Sequence, residues 1–292
     1  MRLLPVLLAS LLASLLIACS TKQKATYSMV EATGSADAGA AALAEADALW
    51  EQRGDKAQLQ AALAKYEIAA KSDPKNRHVL GRLVRGWYFL GDTQETEDAA
   101  KLAAWDTSIS WGKACLAVNA EFTALLEKGD EKEATAVRVL TEDDVPCLYW
   151  TSTALGKWAK LSGLGKTLAN LPTVKAYMTR VSELTPTYFH SGPDRYWGAY
   201  YAAIPSFSGQ DLGKSKTHLE KAIAANPEYL GTTVILAEFW AVKSQDKATF
   251  ESALNQVLAA NPDTTPEIAA ENRAEQAKAR RLLSQQSELF AN

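Results

Sequence analysis

An Asn-Pro pair stands at Asn226-Pro227 and again at Asn261-Pro262, 35 residues further on. From residue 41 onward alanine, leucine and charged residues recur with a helical period, and no stretch alternates apolar and polar positions as a strand would. Other prolines fall at boundaries, at Asp73-Pro74 and Thr185-Pro186. Proline ends a helix because it lacks an N–H and its ring crowds the preceding turn. A chain punctuated this way is expected to be all-α, built of helix pairs of nearly constant length.

The windows before these prolines carry a finer pattern. Ala62, Tyr66, Ala69 and Pro74 have the alanine, aromatic, alanine, proline spacing of tetratricopeptide repeats, whose period is 34 residues. Leu219 and Ala222 keep the spacing before Pro227, with Gly198 and Tyr201 opening the first helix and a long connection over 205–211. A third window runs from about Gly231 to Pro262, with Asp246 starting its second helix. Small residues let paired helices approach, the aromatic fills the gap to the next pair, and each unit leaves an apolar face that a neighbour must cover. The expected domain is a tetratricopeptide-like helical-repeat array, an α-solenoid, over residues 41–292. Between the repeats, 93–126 reads as one long helix or as two broken near Gly112. Val145-Pro146 starts a helix, Gly163-Leu164-Gly165 is a turn, and Leu171-Pro172 opens another helix.

The first eighteen residues are a separate object. Arg2 precedes an apolar run from Leu3 to Ile17 that is too short and too sparsely flanked to span a bilayer. The run ends in Leu16-Ile17-Ala18-Cys19, the lipobox of bacterial lipoprotein signal peptides, so residues 1–18 are expected to be removed and Cys19 lipidated. Acyl chains anchor stably because each buried methylene contributes about 0.8 kcal/mol. Ser20, not Asp, follows the cysteine, which favours passage to the outer membrane. Residues 19–40 lack periodic apolar spacing and read as a lipidated flexible tether. The expected location is the periplasm, with a lipid anchor as the membrane attachment.

Lys and Arg number 31 against 34 Asp and Glu, a net charge of −3. That balance argues against nucleic acid, which needs a concentrated basic face. Beyond Cys19, Cys115 and Cys147 remain, in a compartment that permits disulfides. They are either bridged across about 30 residues, worth roughly 3 kcal/mol, or two buried thiols packing as small hydrophobes.

Little in the chain suggests chemistry. Gly165-Lys166-Thr167 imitates the end of a phosphate-binding loop, but Lys160 occupies the place of its first glycine and a tryptophan-bearing helix precedes it. There is no zincin motif, no nucleophile elbow and no paired-cysteine metal signature. His78, His190 and His218 are scattered, and Glu142, Asp143 and Asp144 read as helix-capping acids. The expectation is therefore no enzyme, no catalytic residues, no metal and no cofactor.

The stretch F-H-S-G-P-D-R-Y-W-G-A-Y-Y-A, residues 189–202, gathers aromatics around Gly192-Pro193, read as a turn into a helix with Asp194 in its first turn. Trp197, Tyr201 and Ile204 share one face, and Tyr196 and Tyr200 the neighbouring one. The first face suits the core and the second a ligand platform. Tyr149, Trp150 and Trp158, the last at i+8 from Trp150, would join them around an internal cavity, since apolar walls with a few polar groups are how ligand sites are built. Arg195 would neutralise a ligand carboxylate there, or serve in a surface ion pair.

Three segments carry a family resemblance: V-P-C-L-Y-W-T-S-T-A-L-G-K-W-A (145–159), P-T-Y-F-H-S-G-P-D-R-Y-W-G-A-Y-Y-A-A-I-P (186–205) and A-E-N-R-A-E-Q-A-K-A-R-R-L-L-S-Q-Q-S-E-L-F (270–290). In that order, over about residues 43–291, the chain resembles the T component of tripartite ATP-independent periplasmic (TRAP) transporters, TatT. The resemblance implies a lipid-anchored helical protein of degenerate tetratricopeptide units, a homotrimer with a pore-like cavity in each protomer, and a periplasmic solute-binding protein as partner. It carries over no catalytic residues. The function so implied is a scaffold that docks the solute-binding protein and shares its ligand. The alternative is an envelope-assembly lipoprotein whose repeats recruit peptidoglycan or outer-membrane machinery.

Overall fold

A computed structural model describes residues 27–127 and 132–290. The leader, the lipobox and Cys19 lie outside the described residues. Among the described residues there is no strand, and no helix is long and apolar enough to cross a membrane.

The chain forms antiparallel helix pairs. Helices α1 (Ala36–Trp50) and α2 (Lys56–Ser72) make the first; α3 (Arg77–Phe89), prolonged by a π turn at Leu90–Gln94, packs on α4 (Asp98–Leu116). Two short helices follow, α5 (Ala120–Glu127) and α6 (Glu133–Ala136). Then come the pairs α7 (Val145–Leu161) with α8 (Leu164–Leu184) and α9 (Tyr188–Ala203) with α10 (Leu212–Ala225). The helix begun by α11 (Leu230–Ile235) passes through a π turn (Leu236–Ala241) into α12 (Val242–Ser244) and packs on α13 (Lys247–Ala259); α14 (Ala269–Ser284) and α15 (Gln286–Leu289) close the chain.

Local chemistry sets many of these boundaries. Ser35, Asp55, Asn76, Asp211 and Asp246 each accept the N–H three residues on, satisfying a donor that the first turn leaves free. Ala62, Tyr66 and Ala69 are buried between helices, and the Tyr66 hydroxyl donates to Asp47 at 2.6 Å. At Gly198 an added Cβ would collide with Leu219, so glycine there permits the close approach of α9 and α10.

Four expectations are corrected. The tether does not extend to residue 40. Tyr27 packs edge-on to Phe122 and shares a hydrogen bond with Tyr177, Thr33 donates to the Lys71 carbonyl, and α1 begins at Ala36. Small residues explain the difference: Gly39 lies against Ser72, so an alanine-rich helix without strong periodicity still packs tightly. Gly112 does not break a helix but lets α4 approach Thr151 of α7; the break comes at 117–119, where Asn119 caps α5 by accepting from Phe122 N at 3.1 Å. Pro172 does not open a helix. It lies inside α8, where burial of Val174, Tyr177, Met178 and Val181 outweighs the roughly 3 kcal/mol a mid-helix proline costs. Finally, Gly198 does not open a helix but lies inside α9, whose regular part begins at Gly192 past the non-helical residues 189–191, at the Gly192-Pro193 entry the sequence predicts.

The core falls in two parts, one under α1–α9 and one under α10–α15. The array returns on itself. Glu271 of α14 accepts from Arg53 Nε at 3.1 Å, from Arg53 Nη2 at 2.7 Å and from Arg85 Nη2 at 2.7 Å, tying the last long helix to the first hairpin and α3. Cys115 at the end of α4 and Cys147 at the start of α7 form a disulfide, their Cα atoms 6.1 Å apart.

Candidate functional site

Inside the turn of the array is a cavity of about 440 Å³, within the range of small-molecule sites. Its walls come from α3, α7, α8, α9, α11 and α14, and each of the two π turns contributes a side chain, Asp92 and Phe239. Such one-turn irregularities shift the register of a helix face and recur at functional sites.

The helical period decides which aromatics face the cavity. Tyr149 and Trp150 of α7 line it, as do Tyr196 and Tyr200 of α9, whose rings stack at 6.2 Å. Trp197 and Tyr201 do not line it. One residue on from the tyrosines, they lie about 100° round the helix. Trp197 donates Nε1–H to Ser182 Oγ at 3.0 Å and Tyr201 stacks on His218. Trp158 is also absent from the walls, because eight residues from Trp150 is about 80° off its face.

Arg195 is buried, 5 % exposed, which removes the surface-ion-pair reading. It lines the cavity, yet most of its donors are spent on the protein: Nη2 on the Tyr149 hydroxyl at 2.9 Å and the Phe189 carbonyl at 3.1 Å, Nη1 on the His190 carbonyl at 2.9 Å. The guanidinium also lies 4.3 Å from the Tyr229 ring centroid. Those two carbonyls belong to a left-handed turn. Phe189, His190 and Ser191 have φ of 46°, 53° and 55°, each costing about 1–2 kcal/mol in an L-residue. Arg195, the stacking of His190 on Tyr229 and the bond from Ser191 Oγ to Asn226 at 2.8 Å hold the turn in place. Regular helix resumes past Ser191, and Asp194 accepts from His218 at 2.8 Å and Lys221 at 2.9 Å.

At one pole of the cavity charges gather that the sequence did not reveal. Lys157 Nζ meets Asp92 at 2.6 Å and Lys278 Nζ meets Glu238 at 2.5 Å. Burial opposes the Asp92 charge, but Lys157 and Lys278 outweigh it and hold the carboxyl below its usual range. Glu275 behaves oppositely. Burial pushes its carboxyl up, with Asp92 adding to the effect, and its Oε2 is buried without a hydrogen-bond partner. Desolvation lowers the Lys160 amine, which sits 4.5 Å from the Phe239 ring centroid. No local motif marks these residues, since they come from four separate helical segments.

The remaining sequence candidates have structural positions. Asp144 accepts from Thr141 N, Asn119 and Arg77, anchoring the start of α7. Thr167, of the phosphate-loop mimic, donates to the Gly163 and Ala159 carbonyls. No group of histidine, cysteine or acidic side chains able to hold a metal occurs among the described residues.

A family model described as TAtT, TRAP transporter T-component, matches residues 89–290. An uncharacterized protein of Treponema pallidum (strain Nichols) is 28 % identical over 151 residues, which are 50 % of this chain and 46 % of that protein. The chain thus spans about half the length of that relative.

Proposed function

The chain belongs to the TRAP transporter T-component family, and from that premise we propose that it is a non-enzymatic periplasmic scaffold that docks the solute-binding protein of its transport system and shares that protein's ligand. The observation that carries the reading is one of position. The family match, residues 89–290, contains every cavity-lining residue except Tyr88. Helical-repeat arrays present extended surfaces suited to proteins, and a cavity within such an array suits ligand transfer. Cys19 carries the acyl anchor that holds the chain at the outer membrane, and three protomers assemble.

Two measurements test this. In membrane fractionation the wild-type chain is expected to sediment with membranes, whereas Cys19→Ala is released or left unprocessed; an unacylated, processed variant still on the membrane removes the anchor from the reading. In titration, the chain from residue 20 onward is expected to bind the solute-binding protein encoded beside it with a Kd of about 1 μM, or about −8 kcal/mol, through an interface of roughly 1,600 Å². No association at several hundred micromolar, with and without ligand, sinks the docking role and leaves the envelope-assembly reading in its place.

A further inference from the structure

The cavity separates charge from apolar surface. Its charged pole holds three cations, Lys157, Lys160 and Lys278, against Asp92 and Glu275 on the walls and Glu238 behind Lys278. Asp92 and Glu238 are each matched to one lysine. No acidic side chain among the described residues lies within ion-pair distance of Lys160, whose Nζ sits 4.5 Å from the Phe239 ring centroid. Lys160 is therefore a cation of the pole without a carboxylate at ion-pair distance, an arrangement that an incoming anion would relieve.

The rest of the wall is apolar, formed by residues such as Leu171, Val174, Ala199, Ile204 and Ile235. It reaches solvent at Leu164 and Ala203, both exposed. One turn along α8 from Leu164, Leu168 is 40 % exposed, and Phe207, two positions past the wall residue Pro205, is 79 % exposed. The local charge is also distinctive. Between Asp144 and Glu183, the span of α7 and most of α8, there is no acidic residue, while Lys157, Lys160, Lys166, Lys175 and Arg180 supply five cations. In a chain of net charge −3, this hairpin presents a positive field that draws anions toward the opening.

From this geometry we infer that the cavity is a binding site for an amphipathic anion with one acidic head and an extended apolar tail. The head sits at the charged pole, against Lys160, and the tail runs along Val174, Ala199 and Ile204 to the mouth. Arg195 acts as a positioning residue, since its donors already hold the left-handed turn and Tyr149. A small polar diacid would leave the apolar wall unfilled. A cationic amphiphile would face the lysines, and two of the aromatic faces are already covered, Tyr229 by Arg195 and Phe239 by Lys160.

This deepens the ligand-sharing half of the proposed function, and its test needs no partner protein, so the two can fail separately. The chain from residue 20, which keeps every residue of the described fold, is titrated by calorimetry below micelle-forming concentrations with four probes: dodecanoate, dodecanol, dodecyltrimethylammonium and succinate. Dodecanoate is expected to bind in the micromolar range, with dodecanol and the cationic amphiphile each about tenfold weaker or more and succinate undetected at millimolar concentration. Lys160→Ala should weaken dodecanoate about tenfold while leaving dodecanol unchanged. Ala199→Trp, which fills the wall, should abolish binding of both while circular dichroism shows the helical content retained. Equal binding of dodecanoate and dodecanol overturns the anionic head; tighter binding of succinate overturns the tail. Dodecanoate binding that survives both substitutions places the ligand elsewhere and overturns the site.

Discussion

Replacing Glu271 with alanine is expected to destabilise the fold by about 3–5 kcal/mol, the cost of leaving buried charge without its partner. Arg53 is 2 % exposed and meets Glu271 with two nitrogens, and Arg85 reaches the same carboxylate from α3. The Trp50 ring, 5.1 Å from Arg53 and 5.2 Å from Arg85, cannot neutralise either guanidinium. The contact also joins positions 218 residues apart, so its loss loosens the return of α14 onto the first hairpin. Urea unfolding followed by circular dichroism measures the cost, and a value below about 1 kcal/mol would show that the network is not what closes the array.

The same carboxylate sets a pH dependence. Burial works against its charge, but Arg85 and Arg53 outweigh burial and hold the Glu271 carboxyl below its ordinary range. A carboxyl depressed in the folded state contributes stability above its unfolded value of about 4.3 and loses it as pH falls through the folded value. Wild type should therefore lose stability below about pH 4 more steeply than Glu271→Gln, whose neutral amide does not titrate.

The second large effect concerns the disulfide. Cys115 and Cys147 are 32 residues apart, and closing a loop of that length in the unfolded chain is worth about 3–4 kcal/mol by chain-entropy reasoning. The bridge pins the end of α4 to the start of α7, and α7 carries the wall residues Tyr149 and Trp150. Cys115→Ala with Cys147→Ala should lower the unfolding free energy by that amount, and a reducing agent should lower the wild-type urea midpoint but not that of the double variant. Identical midpoints with and without reductant would remove the bridge as a source of stability. Both sulfurs are buried, so reduction should require opening of the α4–α7 contact first.

Much of the array was legible because its determinants are short-range. The prolines at 74, 186, 227 and 262, the Asp246 cap and the Ala62–Tyr66–Ala69 spacing act within one or two turns of helix. Such signals keep their meaning whatever packs around them. Tyr196 and Tyr200 were readable as a pair for the same reason, since i, i+4 neighbours share a face in any α-helix. The i+8 extension to Trp158 failed because the error in helical phase accumulates with separation.

Helical content, repeat spacing, several caps and one aromatic face thus follow from residues close together in the chain. The other features come from contacts made only on folding. Proline 172 stays inside α8 because the core side of that helix is buried, and Gly112 serves a helix contact with Thr151, not a break. The left-handed turn at 189–191 contains no glycine to announce it and depends on Arg195 further along α9 and on Asn226 and Tyr229 of the connection between α10 and α11. The charged pole unites Asp92, Lys157, Glu238, Glu275 and Lys278, which meet only once the array has turned back on itself. Burial then gives these groups their character, because a carboxyl's protonation depends on the charges and solvent around it and not on its neighbours in the chain.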